Sequence, residues 1–221
     1  LYASMSEGAV GNTIFTQVSR DREGKYFQPY FIPSQKLISA YEPGDLRLTN
    51  WFSSSLYPVF TNGSRHEGIK TFIKYYDNPS LRTGLIETGA HAAKPLMIGE
   101  LYLIAAEAYA MDGVLSTAKT YLNALQTACK AKLTSGSMEN VKNEWFRETV
   151  GEGLRLSCLK RWGEGFTGRP AQIAASAIVM TGDAYTEKVM EADSYVMNWP
   201  VPSYELKLNE NLIQNDGYEA N

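Results

Sequence analysis

Glu100-Leu101-Tyr102-Leu103-Ile104-Ala105-Ala106-Glu107-Ala108 is the stretch that decides the fold. Leu101, Ile104, Ala105, Ala108 and Met111 recur at helical spacing, so one face of a helix over residues 100–111 is expected to be its packing face. Asp112-Gly113 can end it, since glycine readily takes the left-handed backbone on which helices often close. A second helix follows, with Ser116 expected as its cap and Ala118, Tyr121, Leu122, Leu125, Ala128 and Cys129 at i, i+3, i+4 spacing. The link from 112 to 116 is short enough to make the two helices antiparallel neighbours. Residues 100–111 should pack on 117–130, with Ala105 and Ala108 at the close approach.

Working outward, a third helix is expected from about 138 to 161, broken near Gly151-Glu152-Gly153. Each glycine there costs helix stability by roughly 1 kcal/mol relative to alanine, so a kink or a close backbone approach is implied. Gly163, Gly165, Gly168 and Pro170 then mark a loop. The chain should run extended around Pro200 and Pro202, with a short helix from Ser203. Residues 1–95 read differently, because frequent glycines cut the apolar segments too short for regular helices. Thr13-Ile14-Phe15-Thr16-Gln17-Val18 and Ile69-Lys70-Thr71-Phe72-Ile73-Lys74-Tyr75 alternate as short strands in a small sheet or hairpins.

Four segments together carry a family resemblance: Asn198-Trp199-Pro200-Val201-Pro202-Ser203-Tyr204-Glu205-Leu206 with Asn209, Gln214-Asn215 and Gly217-Tyr218; the helix of residues 100–108; Gly151-Glu152-Gly153-Leu154-Arg155 through Lys160-Arg161-Trp162-Gly163; and Pro33-Ser34-Gln35-Lys36-Leu37 followed by Asp45 and Arg47. In this order the chain resembles the C-terminal part of a SusD/RagB-like protein. Locally, Ser34 can cap a short helix that Pro43-Gly44 ends. One departure is that the family often carries an Arg shortly before the Glu-x-Tyr-Leu-Ile helix, where this chain has Leu96-Met97-Ile98-Gly99. The resemblance implies a mainly α fold, with a tetratricopeptide-like helical hairpin, a loop-rich region and minor short β-strands. One domain over 1–221 is expected, loop-rich and ligand-facing in 1–95 and helical in 96–221. Such a hairpin normally stacks with about three or more repeats. Those repeats and a lipid-anchoring Cys are expected outside this chain, which reads as a fragment.

The resemblance also implies function. Its members are outer-membrane, cell-surface lipoproteins that capture nutrients, usually glycans and in some members peptides, for a SusC-like TonB-dependent transporter. No enzyme activity and no cofactor are expected, and contact with the membrane would come only through the lipid anchor. A helical-repeat scaffold for a protein partner is the alternative, with a glycosidase more distant.

Composition narrows the field. The 221 residues are 44% hydrophobic and 20% charged, in the range of soluble globular chains. A formal net charge of −3 provides no broad basic field, so nucleic acid is not an expected ligand. Cys129 and Cys158 lie inside helical patterns and read as small buried hydrophobes. His66 and His91 have no partner at zinc-ligand spacing. Phosphate-loop, dinucleotide and Gly-x-Ser-x-Gly motifs are absent from the sequence.

Two groups of residues remain. Glu148 and Glu152 stand four apart and would repel on one helix face unless a cation intervenes, for which Arg155 is a candidate. A hydrolytic carboxylate pair is one reading; a structural ion-pair network between helices is the favoured one. Aromatic side chains cluster in 25–31 and 50–60, read as loops. Tyr26, Tyr30, Trp51 and Tyr57 are the candidate ligand-binding residues, because a flat ring stacks on the apolar face of a sugar. Trp145, Trp162 and Trp199 are assigned to packing.

Overall fold

Residues 9–11, 16–21, 24–29, 32–54, 68–74, 90–92, 96–175 and 189–219 are described by the computed structural model. In chain order its elements are β1 (Ala9–Gly11), β2 (Thr16–Asp21), β3 (Gly24–Pro29), α1 (Gln35–Ile38), α2 (Leu46–Asn50), β4 (Phe52–Ser53), β5 (Thr71–Phe72), β6 (Ala90–Ala92), α3 (Ile98–Met111), α4 (Leu115–Ala128), α5 (Met138–Glu148), α6 (Arg155–Trp162), β7 (Phe166–Thr167), β8 (Val189–Met190) and α7 (Ser203–Leu208). The fold is mainly α, with a helical hairpin and minor strands, as the sequence implies.

The described strands form separate antiparallel pairs, β1 with β6, β2 with β3, β4 with β5 and β7 with β8. The two segments expected as strands therefore do not join each other. β2 begins at Thr16 and β5 holds only Thr71 and Phe72, while residues 13–15 and 75 lie outside the described residues. The segment read as an aromatic loop is partly strand: β3 sets Tyr26 opposite Ser19 and Phe27 opposite Val18.

Side-chain caps begin α1 and α2. Ser34 Oγ accepts the Leu37 N–H at 3.2 Å to start α1, and an Asp45 carboxylate oxygen accepts the Arg47 N–H at 2.9 Å to start α2. For α4 the expected cap is displaced: Val114 occupies the cap position, and Ser116 lies inside the helix with its carbonyl accepting from Thr120 Oγ1. The long third helix is two helices. Gly151 and Gly153 both have a left-handed backbone, φ +77° and +76°, which separates α5 from α6. A Cβ at Gly153 would meet nothing within 4 Å, so backbone conformation rather than close packing demands that glycine. Gly163, read as loop, closes α6 in the left-handed conformation.

The main core lies where α3, α4, α5 and α6 meet. It contains Leu103, Ala106 and Ala110 of α3, Ala118, Leu122 and Leu125 of α4, Val141 and Trp145 of α5, and Cys158 of α6. Leu103 and Leu122 are completely buried, each contributing about 1.5–3 kcal/mol of transfer free energy. Gly136 lets the α4–α5 link lie flat on the start of α4, because a Cβ there would run into the Leu115 carbonyl. A smaller cluster of Leu37, Tyr41, Phe52 and Phe72 packs with Trp51, Phe146 and Val150. Trp145 thus faces the main core, while its neighbour Phe146 faces the smaller cluster, so α5 serves both. Neither cysteine is bonded; Cys158 is buried and Cys129 half-buried.

α3 and α4 do pack together, but α3 is turned from its expected orientation. Leu101, Ile104, Ala108 and Met111 are exposed, and Leu103, Ala106 and Ala110 face α4 and α5. The reason is that α3 is apolar almost all round, so spacing alone does not select the inner face. Ala106→Leu should overpack the core and destabilise by about 1–3 kcal/mol, whereas Ala108→Leu should stay within about 0.5 kcal/mol of the parent. Urea unfolding of the two variants checks this assignment.

Candidate functional site

Charged side chains converge where α2 meets α5. The Asp45 carboxylate that caps α2 also accepts Arg47 Nε at 3.0 Å and Nη2 at 2.8 Å. Arg47 Nη1 then donates to Glu144 Oε1 at 2.5 Å and to Glu148 Oε2 at 2.9 Å. Glu144 is fully buried, and its second oxygen accepts from Gln126 Nε2 at 2.9 Å and from Arg147. Burial alone would raise the Glu144 carboxyl, but Arg47 and Arg147 overcome it and hold the group below the usual carboxylate range. At Glu148 burial wins instead and pushes the group up despite Arg47 and Lys74.

Lys74 extends this cluster. Its ammonium donates to the carbonyls of Glu148 at 2.8 Å and Val150 at 3.1 Å, at the C-terminal end of α5, where a cation also complements the helix dipole. It pairs with Glu152 at 2.8 Å. The cation compensating Glu152 is therefore Lys74, not Arg155, whose guanidinium stacks on Phe146. Both carboxylates are engaged in a network that ties α5 to the preceding half of the chain, which is the structural reading made from their spacing. Lys74 was not singled out in the sequence; its only signal is a charged residue within the alternating segment 69–75, buried beside Ile69, Thr71 and Phe72.

Of the four candidate ligand-binding rings, the side chain of Trp51 is described. Trp51 forms the C-cap of α2, is half-buried, and carries Lys74 Nζ at 4.0 Å from a ring centroid. The backbone of Tyr26 lies on β3, whereas Tyr30 and Tyr57 fall outside the described residues. Among the other tryptophans, Trp145 is buried as expected. Trp162 donates to Glu107 Oε1 at 2.9 Å, beside a bidentate pair from Arg161 that binds α6 to α3. Trp199 corrects the packing assignment, since it is 81% exposed; its backbone carbonyl is held by Asn215 at 2.6 Å, but the indole is outside the core.

Two of the concavities among the described residues are large enough for a small ligand. One, about 350 Å³, runs between α3 and α6, where Ile104, Met111 and Leu154 line it. The other, about 630 Å³, lies between α1, the α5–α6 turn and β7. No group of three metal-ligating side chains occurs among the described residues, and no described helix is long and apolar enough to cross a membrane.

A fold of this kind, mainly helical with a tight helical hairpin, occurs in known proteins. The chain belongs to the SusD family, whose model covers residues 22–218. A SusD superfamily protein from Bacteroides vulgatus aligns with a TM-score of 0.58 at 22% identity, over 89% of this chain and 40% of that one. Surface glycan-binding protein A from Bacteroides fluxus gives 0.56 at 22% identity, over 96% and 44%. Its namesake from Bacteroides uniformis gives 0.58 at 17%, over 97% and 47%. The chain thus spans less than half the length of these proteins, and the likeness is one of fold. No curated protein matches it.

The carboxylates yield an ordered expectation. Glu144→Gln removes a charge that two arginines hold ionised in a dry environment, at a cost of about 3–5 kcal/mol; Glu148→Gln should cost clearly less. Because the folded Glu144 value is depressed, its contribution is present above the unfolded value and is lost as pH falls through the folded one. Melting temperatures at pH 7 and below 4.5 should converge between wild type and Glu144→Gln on acidification.

Proposed function

We propose that this protein is a non-enzymatic glycan-binding subunit at the cell surface, working with a SusC-like TonB-dependent transporter. Family membership over 22–218 carries the reading, and the fold shared with proteins named as surface glycan-binding supports it. In this reading the protein is anchored to the outer membrane by a lipid outside this chain, and an oligosaccharide is its cargo, with a peptide as the other cargo class. The non-enzymatic reading is supported by Glu144, Glu148 and Glu152, whose charges are taken up by Arg47, Arg147 and Lys74. A hydrolytic pair needs one carboxyl free to donate and another free to attack or activate water.

The domain reading follows the same division. Residues 1–95 would supply ligand contacts through Tyr26, Tyr30, Trp51 and Tyr57, and 96–221 the helical support. Trp51 would act with part of its ring already engaged by Lys74, so its loss should affect stability as well as binding.

A protein-interaction scaffold is the second reading. It is favoured by one observation: Ile98, Leu101, Ile104 and Met111 form an exposed apolar stripe along α3, each at least half exposed. Such a stripe suits another amphipathic helix.

Calorimetric titration of the intact protein against an oligosaccharide panel separates the readings. Saturable binding without cleavage of the bound sugar is expected. Alanine at Tyr26, Tyr30 or Tyr57 should weaken a neutral sugar by about three- to tenfold. Alanine at Trp51 should weaken it similarly and also lower the melting temperature. Cleavage of the sugar would remove the non-enzymatic reading, and no saccharide bound while a protein partner binds the α3 stripe would remove the glycan-binding reading.

A further inference from the structure

The larger of the two concavities differs chemically from the smaller, whose lining includes Glu100 and Glu107. The protein carries 24 acidic and 21 basic residues, yet the described residues that line the cavity of about 630 Å³ include Lys36, Arg155 and Arg169 and no aspartate or glutamate. Its volume lies in the range of small-ligand sites, about 300–1,000 Å³. An all-cationic lining in an acidic protein points to a ligand of opposite sign, because a low-dielectric wall behind the charges focuses their field into the cleft.

Both guanidiniums are held against aromatic rings. Arg155 lies over Phe146 and Trp162, with Cζ 5.1 Å and 5.7 Å from the ring centroids, and Arg169 lies over Phe166 at 5.6 Å. Among the described residues no carboxylate forms an ion pair with either; Glu164 acts on the Arg155 charge from farther off, and its own carboxylate is paired with Lys142. Stacking fixes a guanidinium by its face and leaves N–H groups at its edge, which match the two oxygens of a carboxylate or sulfate. Arg47 and Arg161 also lie over aromatic rings, but they spend their donors on buried carboxylates.

The backbone adds to this. α6 starts at Arg155 on the cavity wall, and Leu154 at its cap position supplies no side-chain acceptor for the first-turn N–H groups, which present partial positive charge. Gly151 and Gly153 bring the preceding turn to the wall without side chains of their own, and Phe146, Phe166 and Leu156 provide apolar surface. A sugar ring needs both features, apolar contact for its C–H face and donors for its oxygens.

The geometry points to this cavity as a saccharide site apart from the aromatic segments, selective for a sugar bearing an anionic group. It rests on the glycan-binding reading and adds the charge class of the ligand. A uronic-acid carboxylate and a sulfate ester share the required chemistry.

The test is calorimetry on the intact protein with trigalacturonate, a sulfated maltotriose and plain maltotriose, with triglutamate as an acidic peptide. At least one anionic saccharide should bind more tightly than maltotriose and lose affinity as salt is raised; which one binds distinguishes carboxylate from sulfate. Arg169→Gln and Lys36→Gln, both at exposed positions, should keep the melting temperature and weaken that ligand about tenfold for the arginine and less for the lysine. Lys207→Gln, on α7 and outside the cavity, should change nothing. Maltotriose binding with neither anionic saccharide bound overturns this site and leaves the glycan-binding reading intact. Anionic binding that survives both Arg169→Gln and Lys36→Gln places the site elsewhere and also overturns it. Preference for triglutamate overturns the saccharide assignment, and failure of every saccharide overturns both this site and the reading beneath it.

Discussion

The Arg47 guanidinium is the interaction on which the rest depends. It sits 2% exposed between Asp45 of its own helix cap and Glu144 and Glu148 of α5, nearly one hundred residues later in the chain. Asp45 starts α2 and orients Arg47 with the same carboxylate. Glu144 passes the constraint onward through Gln126, whose amide reaches the Thr134 hydroxyl at 2.9 Å and whose carbonyl accepts the Thr134 N–H at 3.0 Å. One charge thus fixes the position of α2, the register of α5 and the path of the α4–α5 link. The Leu46 N–H donating to the Cys129 carbonyl at 2.9 Å, where α4 ends, closes the same junction from the backbone.

Burying so many charges is unfavourable unless each is met, and replacing such a network by hydrophobic residues is often neutral or better for stability. Its value here lies in geometry. Apolar contact would let α5 slide along the α2 cap, whereas carboxylates on successive turns of α5 reach one guanidinium only in one register. A second brace has the same form: Glu107 takes Arg161 and Trp162 and locks α6 to α3. The amide of Gln172 performs this service without charge, donating to the carbonyls of Pro33 and Lys70 at 3.0 Å and 2.8 Å. Close packing depends on these registers too, because the Glu148 carboxylate is seated directly on Gly99, where a Cβ would run into it.

Such bracing suits a protein that presents surfaces rather than performing chemistry. The helical core is stiffened from within, its α3 stripe and α5–α6 cleft remain open, and segments 32–54 and 68–74 are tied on through Arg47, Lys74 and Gln172. In the proposed function these ties keep the ligand-facing segments at fixed distance from the helices. The cationic cleft lies at that junction, walled by α1 on one side and by the α5–α6 turn and β7 on the other.

The sequence by itself determined the helical hairpin, the cap at Ser34, the break at Gly151-Glu152-Gly153, the short helix after Pro202 and the family. These are local properties, set by side chains within a few residues of the backbone they control. The tertiary structure alone decided which face of α3 is buried, because a helix apolar on almost every side has no preferred face until its neighbours are in place. It also decided that Lys74 rather than Arg155 answers Glu152, since a charge pairs with whatever the fold brings within reach and not with what lies three residues away. Trp199, placed in the core by its neighbours in sequence, is exposed for the same reason. The cationic cleft was illegible because Lys36, Arg155 and Arg169 are unremarkable as separate residues, and their shared chemistry exists only where α1, α6 and β7 meet.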